Sequence, residues 1–180
     1  MNKDKIVKTI KKLLKFAAAV AVICFTFMCI LTVIFTSWKD AKINNLNVYY
    51  SKVTKDCTAG LYEWDGNTEN MTVIIPDEFE GIKLSNLGGK GTGSAPALFH
   101  ISLPENIEIR DEYNFTVKLG KNINCAEHFL YTDEYTDYKG NLLCRINYYY
   151  EVSEDNKWIY SKDGKIYDKK TDEPVGLFYE

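Results

Sequence analysis

The longest apolar run in the chain lies near its N-terminus. Residues 16–38 read FAAAVAVICFTFMCILTVIFTSW and contain no charged side chain. As a helix this run would span about 35 Å, which is enough to cross a bilayer core of about 30 Å. Its Ser and Thr hydroxyls can bond back to helix carbonyls, and Trp38 lies at the boundary where an amphipathic ring is favoured. The pattern predicts one transmembrane helix over residues 16–38.

Charge differs in sign on the two sides of this run. Residues 1–38 carry a net charge of +5, and residues 39–180 carry a net charge of −8. The positive-inside rule therefore predicts a basic cytoplasmic segment over residues 1–15. We expect a cell-membrane protein that crosses the membrane once and has its C-terminal domain outside the cytoplasm. The acidic balance of that domain argues against nucleic acid as a partner, because binding phosphates requires a basic face.

A cleaved signal peptide is the main alternative to an uncleaved anchor. Signal peptides have an apolar region of about 7–15 residues, and small residues follow it at the cleavage site. Here the apolar run is longer, and residues 35–39 read FTSWK, which is a poor cleavage site. We therefore expect an uncleaved signal-anchor.

Beyond the helix the apolar positions become short and alternating. Residues 39–51 are polar and then apolar, which predicts a linker entering a first strand. Three later runs are rich in β-branched or alternating residues and end at Pro or Gly, at residues 71–75, 99–103 and 115–119. We find no clear helical period in this part of the chain. The pattern predicts a mainly β extracytoplasmic domain over residues 52–180.

Three segments of this domain align with one another without gaps. They are TVIIPDEFEG at residues 72–81, HISLPENIEI at residues 100–109 and TVKLGKNINC at residues 116–125. Each has a short strand, then Pro or Gly, then polar residues and a further apolar residue. In a solenoid the strand would line one wall, Pro or Gly would turn the chain, and the apolar residue would re-enter the core. The spacing between segments is unequal, so we expect a short and irregular solenoid.

These segments resemble the leucine-rich repeats of the BspA type on bacterial surfaces, whose units run L-x-x-I-x-I-P-x-x-V-x-x-I. Residues 150–174 read YEVSEDNKWIYSKDGKIYDKKTDEP and are similar to a strand and hairpin that often interrupt such arrays. The Ala-Phe element and the Ile-Gly step that usually close each unit are weak or absent here. The resemblance implies a leucine-rich-repeat-like β-solenoid at the cell surface that binds other molecules, and it implies no catalytic residues.

Three cysteines lie beyond the helix, at Cys57, Cys125 and Cys144. One disulfide and one thiol would fit this odd number, and three pairings exist. A bond from Cys125 to Cys144 would close a loop of about 20 residues and would contribute about 3 kcal/mol in the chain-entropy model. A bond from Cys57 to either of the others would tie the entry of the domain to its repeats. Three buried thiols are the alternative, and the sequence leaves it open.

Patterns that would carry chemistry are weak. GGKGTGS at residues 88–94 lacks the Lys-Ser or Lys-Thr pair of a phosphate loop, and we interpret it as a surface loop. His100 and His128 are the only histidines, and neither adjoins a serine-nucleophile pattern. Cys125 with His128 is too small a set for a zinc site. We predict that the chain is not an enzyme and that it has no cofactor and no metal.

Aromatic residues are in surplus in the C-terminal half. Most must pack in the core or between strands. We expect a minority, within Tyr131, Tyr135 and Tyr138, to be exposed and to contact a partner. The sequence favours a binding or scaffold module with a protein or glycan partner. The alternatives are an extracytoplasmic enzyme that acts on wall polysaccharide through paired carboxylates, and a structural subunit of a membrane complex.

Overall fold

We describe a computed structural model of the chain for residues 3–88, 98–105, 110–124 and 129–176. Side chains are described from Lys11 onward, with the exception of Phe35. The chain divides into two compact units, Met1–Trp38 and Lys39–Glu180.

The first unit is one helix, α1, which runs from Lys3 to Thr36 and includes the basic segment. Its 34 residues correspond to about 51 Å at 1.5 Å per residue. Within it, Lys11–Ile34 is long and apolar enough to cross a membrane. No residue in its most apolar stretch of 18 residues is buried. A membrane anchor and a signal sequence both meet this requirement.

Three threonines of α1 have their hydroxyls satisfied inside the helix. Each donates a hydrogen bond to the carbonyl oxygen four residues earlier, at 2.8 Å, 2.9 Å and 2.8 Å for Thr26, Thr32 and Thr36. A hydroxyl bonded in this way leaves no polar hydrogen for an apolar medium to accommodate. The sequence prediction that these groups bond back to the helix is confirmed.

The second unit is mainly β, as the alternating pattern predicts. Its described strands are β1 (Trp38–Ile43, whose first residue ends the helical unit), β2 (Leu46–Ser51), β3 (Asp56–Glu63), β4 (Thr72–Ile74), β5 (Glu78–Phe79), β6 (Ile82–Leu87), β7 (His100–Ser102), β8 (Glu112–Leu119), β9 (Thr132–Thr136), β10 (Leu142–Val152), β11 (Ile159–Lys162), β12 (Lys165–Asp168) and β13 (Pro174–Val175). The segment predicted as a linker and first strand, residues 39–51, therefore contains β2 and most of β1. Asn44 between them adopts φ +52°, a conformation that Asn tolerates in tight turns.

The strands form three sheets. The first has the order β1-β2-β3-β6-β5, with β7 pairing the far end of β3. The second has the order β4-β8-β10-β9, in which β4, β8 and β10 run parallel and β9 is antiparallel at the edge. The third is the antiparallel sheet β11-β12-β13.

The inward face of the second sheet forms one side of the core. Along β8 every second residue is buried, and these residues are Tyr113, Phe115, Val117 and Leu119. The indole of Trp64 packs edge-on against Phe115, with ring centroids 5.2 Å apart and an interplanar angle of 90°. Edge-to-face contacts of this kind add to the free energy gained from apolar burial.

Two of the three aligned segments are neighbours in the structure, in the register that the sequence alignment gives. Strand β4 pairs with β8 so that Thr72 lies opposite Thr116 and Val73 lies opposite Val117. The strand of the middle segment, β7, pairs instead with β3, with His100 opposite Leu61. Consecutive coils of a solenoid would place all three strands side by side. The described sheets therefore do not show a solenoid, although the mainly β class and the apolar helix are confirmed.

The third sheet lies along the C-terminal half of β10. The backbone N–H of Tyr150 donates to the carbonyl of Gly164 at 2.9 Å, and the N–H of Val152 donates to the hydroxyl of Ser161 at 2.9 Å. Gly164 has φ +74°, and a Cβ placed there would lie 2.8 Å from Cδ1 of Tyr149. Only glycine fits this turn without strain and without displacing that ring.

Candidate functional site

The outward face of the second sheet carries a regular array of polar side chains, which we call the polar face. It consists of Glu112, Asn114, Thr116 and Lys118 of β8, and Arg145, Asn147, Tyr149 and Glu151 of β10. The two strands are in register, so the members face one another in four pairs, Glu112 with Arg145, Asn114 with Asn147, Thr116 with Tyr149, and Lys118 with Glu151. Side chains directly opposite on neighbouring strands are close enough to interact.

Arg145 lies between two carboxylates on the polar face. Its Nη1 is 3.8 Å from a carboxylate oxygen of Glu112, and its Nη2 is 2.9 Å from a carboxylate oxygen of Glu134 on β9. Its Nε donates to the same oxygen of Glu134 at 3.3 Å. All three side chains are about half exposed, so these ion pairs add little to stability. They do hold the planar guanidinium in one orientation across the sheet.

A second polar contact follows along the same strands. Nδ2 of Asn147 donates to Oδ1 of Asn114 at 3.0 Å, and Thr132 of β9 lies opposite Asn147 on the other side. Each amide carries more donors and acceptors than this one bond uses. The ion pairs and the amide pair together fix the positions of several groups that can bond to a ligand.

A half-open groove of about 710 Å³ runs beside Arg145. Its lining combines carboxylates, an amide and a guanidinium with apolar side chains, namely Leu98, Glu112, Leu130, Thr132, Asp133, Glu134, Arg145 and Asn147. The volume lies within the range of about 300–1,000 Å³ that is typical of ligand sites. The groove and the polar face share Glu112, Arg145 and Asn147, so they form one continuous surface.

The solvent exposure of the polar face is unusual for strands that run parallel. Parallel strands are normally covered on both faces, and solvated faces are typical of antiparallel sheets. Here β4, β8 and β10 are parallel, yet Glu112, Asn114 and Lys118 are exposed to solvent. The polar side chains explain why this face is compatible with water.

Two of the three tyrosines predicted as ligand contacts have their hydroxyls bonded to the backbone. The hydroxyl of Tyr131 donates to the carbonyl of Val175 and accepts the N–H of Ile166 at 2.9 Å. The hydroxyl of Tyr135 donates to the carbonyl of Ile101. Burial raises the pKa of both tyrosines. These side chains join the second sheet to its neighbours, and a role for them in ligand contact stays a prediction.

The third predicted tyrosine, Tyr138, lies in the turn between β9 and β10. Its side chain is 91% exposed, and Nζ of Lys139 lies 5.4 Å from the ring centroid. The turn is held by Asp137, whose carboxylate accepts the backbone N–H groups of Lys139 and Asn141 at 2.7 Å and 2.9 Å. Hydrogen bonds, that from the Asn141 side chain foremost, hold the pKa of Asp137 below its usual value. Of the three, Tyr138 alone has a fully exposed ring.

Cys57 and Cys144 are buried and carry free thiols, so no bond joins these two. Burial raises the pKa of Cys57 to about 11 and raises that of Cys144 as well. Because both thiols are free, the structure does not show the predicted pairing of either with Cys125, which itself lies outside the described residues.

The described residues place few catalytic groups together. Within them no group of three His, Cys, Asp or Glu side chains could hold a metal ion. His100 is exposed on β7, with Nδ1 3.3 Å from the carbonyl oxygen of Leu98. His128 and residues 89–94 of the predicted loop lie outside the described part of the chain.

Sequence reasoning did not identify the polar face. A signal for it exists, because polar and apolar residues alternate over residues 112–119 and again over residues 145–148. The sequence does not show that these two strands are neighbours, and it is their pairing that creates the surface.

Comparison with protein-family models, with curated proteins and with solved structures finds no match for this chain. The resemblance to leucine-rich repeats of the BspA type therefore stays a prediction that rests on the aligned segments.

Proposed function

We propose that this chain is a membrane-anchored binding module whose extracytoplasmic β domain contacts another protein through the polar face and its groove. The helix α1 is the anchor in this proposal, and the N-terminus is cytoplasmic. Six lysines before the apolar run support that orientation, at Lys3, Lys5, Lys8, Lys11, Lys12 and Lys15. If protease added to intact cells removed a tag from the N-terminus, the N-terminus would lie outside the cell and this orientation would be contradicted.

The observation that carries the proposal is an arginine held between two carboxylates on a solvent-exposed face of the second sheet. Arg145 needs little reorganisation to meet a partner, because Glu112 and Glu134 already orient it. Arginine is enriched among the residues that dominate protein interfaces. The partly exposed side chain of Leu98 at the groove offers a smaller hydrophobic contact beside it.

The same pair of carboxylates is the feature that favours the enzyme alternative. Glu112 and Glu134 belong to strands on either side of β10, and polysaccharide hydrolases use a pair of carboxyl groups. Such an enzyme holds the scissile bond between its two carboxyl groups. Here the guanidinium of Arg145 lies between them and forms an ion pair with each. We therefore favour binding over hydrolysis.

The test is site-specific photo-crosslinking of the full-length protein in its own membrane. A photoreactive side chain at Asn147 should capture one protein, and the same group at exposed Val53, in the turn after β2, should not. Adding the change Arg145→Glu should reduce that capture by at least about tenfold, as expected when one partner of an interfacial charge contact is reversed.

The matched control for charge is Lys52→Glu. Lys52 is also an exposed cation in an ion pair, 2.7 Å from Glu80, but it lies away from the polar face. Capture at Asn147 should be unchanged in this variant. Equal capture at Asn147 and Val53, or capture that does not respond to Arg145→Glu, would contradict the proposal. Hydrolysis of wall polysaccharide that Glu134→Gln abolishes would favour the enzyme.

A further inference from the structure

Exposed apolar side chains gather at the end of the hairpin that β9 and β10 form. Tyr138 in its turn is 91% exposed, and Leu142 and Leu143, the first two residues of β10, are 51% and 41% exposed. We call these three residues the apolar tip. Other exposed large apolar side chains of the β domain, such as Val53 and Ile74, lie singly along the described chain. Single exposed apolar residues are normal, whereas a group of them marks a site of interaction.

A β-bulge brings both leucines of the apolar tip to the surface. Leu142 lies opposite Thr136 and Cys144 lies opposite Tyr135, so the register between the two strands skips Leu143. Regular alternation would turn one of two consecutive side chains toward the core. Alternation resumes at Cys144, which is buried. Bulges commonly redirect a side chain in this way, so the exposure of both leucines is part of the strand pairing.

The turn that carries Tyr138 satisfies its polar groups internally. The carboxylate of Asp137 accepts the backbone N–H groups of Lys139 and Asn141 at 2.7 Å and 2.9 Å, and it accepts Nδ2 of Asn141 at 2.8 Å. The N–H of Asp137 donates to the carbonyl of Asn141 at 2.9 Å, and the N–H of Gly140 donates to the carbonyl of Asp137 at 3.0 Å. Four backbone N–H groups of the turn therefore need no water. Backbone groups without a partner are costly where water is scarce, and this turn avoids most of that cost.

The apolar tip also lacks the acidic balance of its domain. Residues 136–143 read TDYKGNLL and contain one aspartate and one lysine, so their net charge is zero, although residues 39–180 together carry −8. Nζ of Lys139 lies 5.4 Å from the ring centroid of Tyr138. A lysine can cover apolar surface with its stem and keep its ammonium group in a polar layer. Charge at the tip therefore does not oppose contact with lipid.

The chain itself brings a lipid surface close to the β domain. Helix α1 ends at Thr36 and β1 begins at Trp38, so a single residue separates them. If α1 spans a bilayer, the β domain begins at the surface of that bilayer. This step rests on the anchor that we assign to α1 in the proposed function.

We infer that the apolar tip inserts into the headgroup region of the bilayer that anchors α1. The ring of Tyr138, with its apolar body and polar end, suits that layer, and Leu142 and Leu143 would reach the upper part of the acyl chains. A protein partner fits the tip less well, because a stable protein interface buries about 800 Å² on each side and three side chains at the end of a hairpin offer much less. A second attachment to the membrane would restrict rotation of the β domain about its connection to α1.

The test is fluorescence quenching of the full-length protein in phosphatidylcholine liposomes. A fluorescent amino acid replaces Leu142, and part of the phosphatidylcholine carries a nitroxide on its acyl chain, which quenches fluorophores in contact with it. We expect strong quenching at this position. The matched control is the same fluorophore at Val53, an apolar residue that is also about half exposed, and we expect little quenching there.

Two variants of the apolar tip carry the test further. Leu143→Asp and Tyr138→Asp should each reduce the quenching at position 142 to the level at Val53, because an aspartate is transferred unfavourably into a bilayer. Both side chains are exposed, and the two variants alter different parts of the hairpin, so one remains informative if the other fails to fold. Ile74→Asp, which changes an exposed apolar residue of β4, is the matched control and should leave the quenching unchanged.

A third labelled position separates failure of this inference from failure of the anchor. The fluorophore at Phe25, within α1, is quenched if the helix lies in the bilayer. Quenching at Phe25 without quenching at Leu142 would overturn the inference and leave the anchor in place. Absence of quenching at Phe25 would overturn the anchor, and the inference with it.

Three further results would overturn the inference. One is equal quenching at Leu142 and Val53, and another is quenching at Leu142 that both aspartate variants retain. The third is quenching that requires the nitroxide to be in separately added vesicles, because the apolar tip would then contact a different membrane.

Discussion

Three consecutive tyrosines of β10 show how differently the two faces of one strand are used. Tyr148 and Tyr150 point into the core and are 2% and 1% exposed, whereas Tyr149 between them is 48% exposed. The residue type is the same, so strand alternation alone decides the environment. The inward face of the second sheet contributes to folding, and the outward face presents polar groups to solvent.

The inward tyrosines also keep their hydroxyls satisfied. The hydroxyl of Tyr148 accepts the backbone N–H of Ile101 at 3.2 Å, and that of Tyr150 donates to the carbonyl of Leu130 at 2.6 Å. Burial raises the pKa of both side chains. Buried hydroxyls without partners would destabilise the fold, so these bonds are what allow tyrosine to occupy core positions.

The largest expected effect is on the inward face. Phe115→Ala removes a fully buried ring that packs against Trp64, and it should lower the free energy of unfolding by about 3–5 kcal/mol. Urea titration of the full-length protein in detergent, followed by tryptophan fluorescence, measures this. Thr116→Ala, the next residue along and on the outward side, should cost less than about 0.5 kcal/mol. Similar losses for both would contradict the assignment of the two faces.

Thiol reactivity tests burial without changing the sequence. Cys57 is fully buried with a pKa of about 11. At pH 8 its thiolate fraction should be more than about a hundredfold below that of an ordinary thiol of pKa about 8.5. Alkylation with iodoacetamide, mapped by peptide mass spectrometry, should therefore be slow in the folded protein and fast in urea. Equal rates under both conditions would show that this part of the first sheet is open to solvent.

Removing one hydroxyl oxygen from each side of β10 tests the difference between its inward and outward faces. Tyr148→Phe removes the hydroxyl that accepts the N–H of Ile101, and that donor is then buried without a partner. The expected loss in the free energy of unfolding is about 1–3 kcal/mol. Tyr149→Phe removes the same atom from the outward side and should have almost no effect on the urea midpoint. The inward role assigned to Tyr148 fails if the two variants unfold at the same concentration.

The sequence predicts those parts of the fold that local pattern determines. An uncharged run of this length is sufficient for a helix, and α1 indeed covers all of residues 16–36. Alternation over residues 115–119 is sufficient for a strand, and β8 contains it. The alignment of residues 72–81 with residues 116–125 even gives the register in which β4 and β8 pair.

Pairing between distant strands is the part that local pattern does not determine. The His100 segment resembles the other two, yet β7 pairs with β3, so the expected solenoid is not shown. Strands compete for partners through the whole core, and a pattern of a few residues contains little information on that competition. The polar face depends on the same long-range choice, because Glu112 and Arg145 meet only when β8 and β10 are neighbours.

Tyrosine adds a second limit to prediction. Its ring suits the core and its hydroxyl suits the surface, so three tyrosines in a row conceal the alternation that separates Tyr149 from its neighbours. The exposed ring of Tyr138 and the backbone-bonded hydroxyls of Tyr131 and Tyr135 could not be told apart for the same reason.

The smallest expected effect on stability is on the outward face. Arg145→Ala removes both ion pairs of the guanidinium, and because the side chains involved are about half exposed, the free energy of unfolding should fall by less than about 1 kcal/mol. Lys118→Ala breaks the exposed ion pair with Glu151 at 3.0 Å. In the same urea titration it should also lower the free energy of unfolding by less than about 1 kcal/mol. A loss as large as that of Phe115→Ala would mean that the ion pairs are needed to fold the sheet. A small loss in stability together with lost crosslinking at Asn147 would separate the two faces, because Arg145 would then be required for the partner and dispensable for the fold.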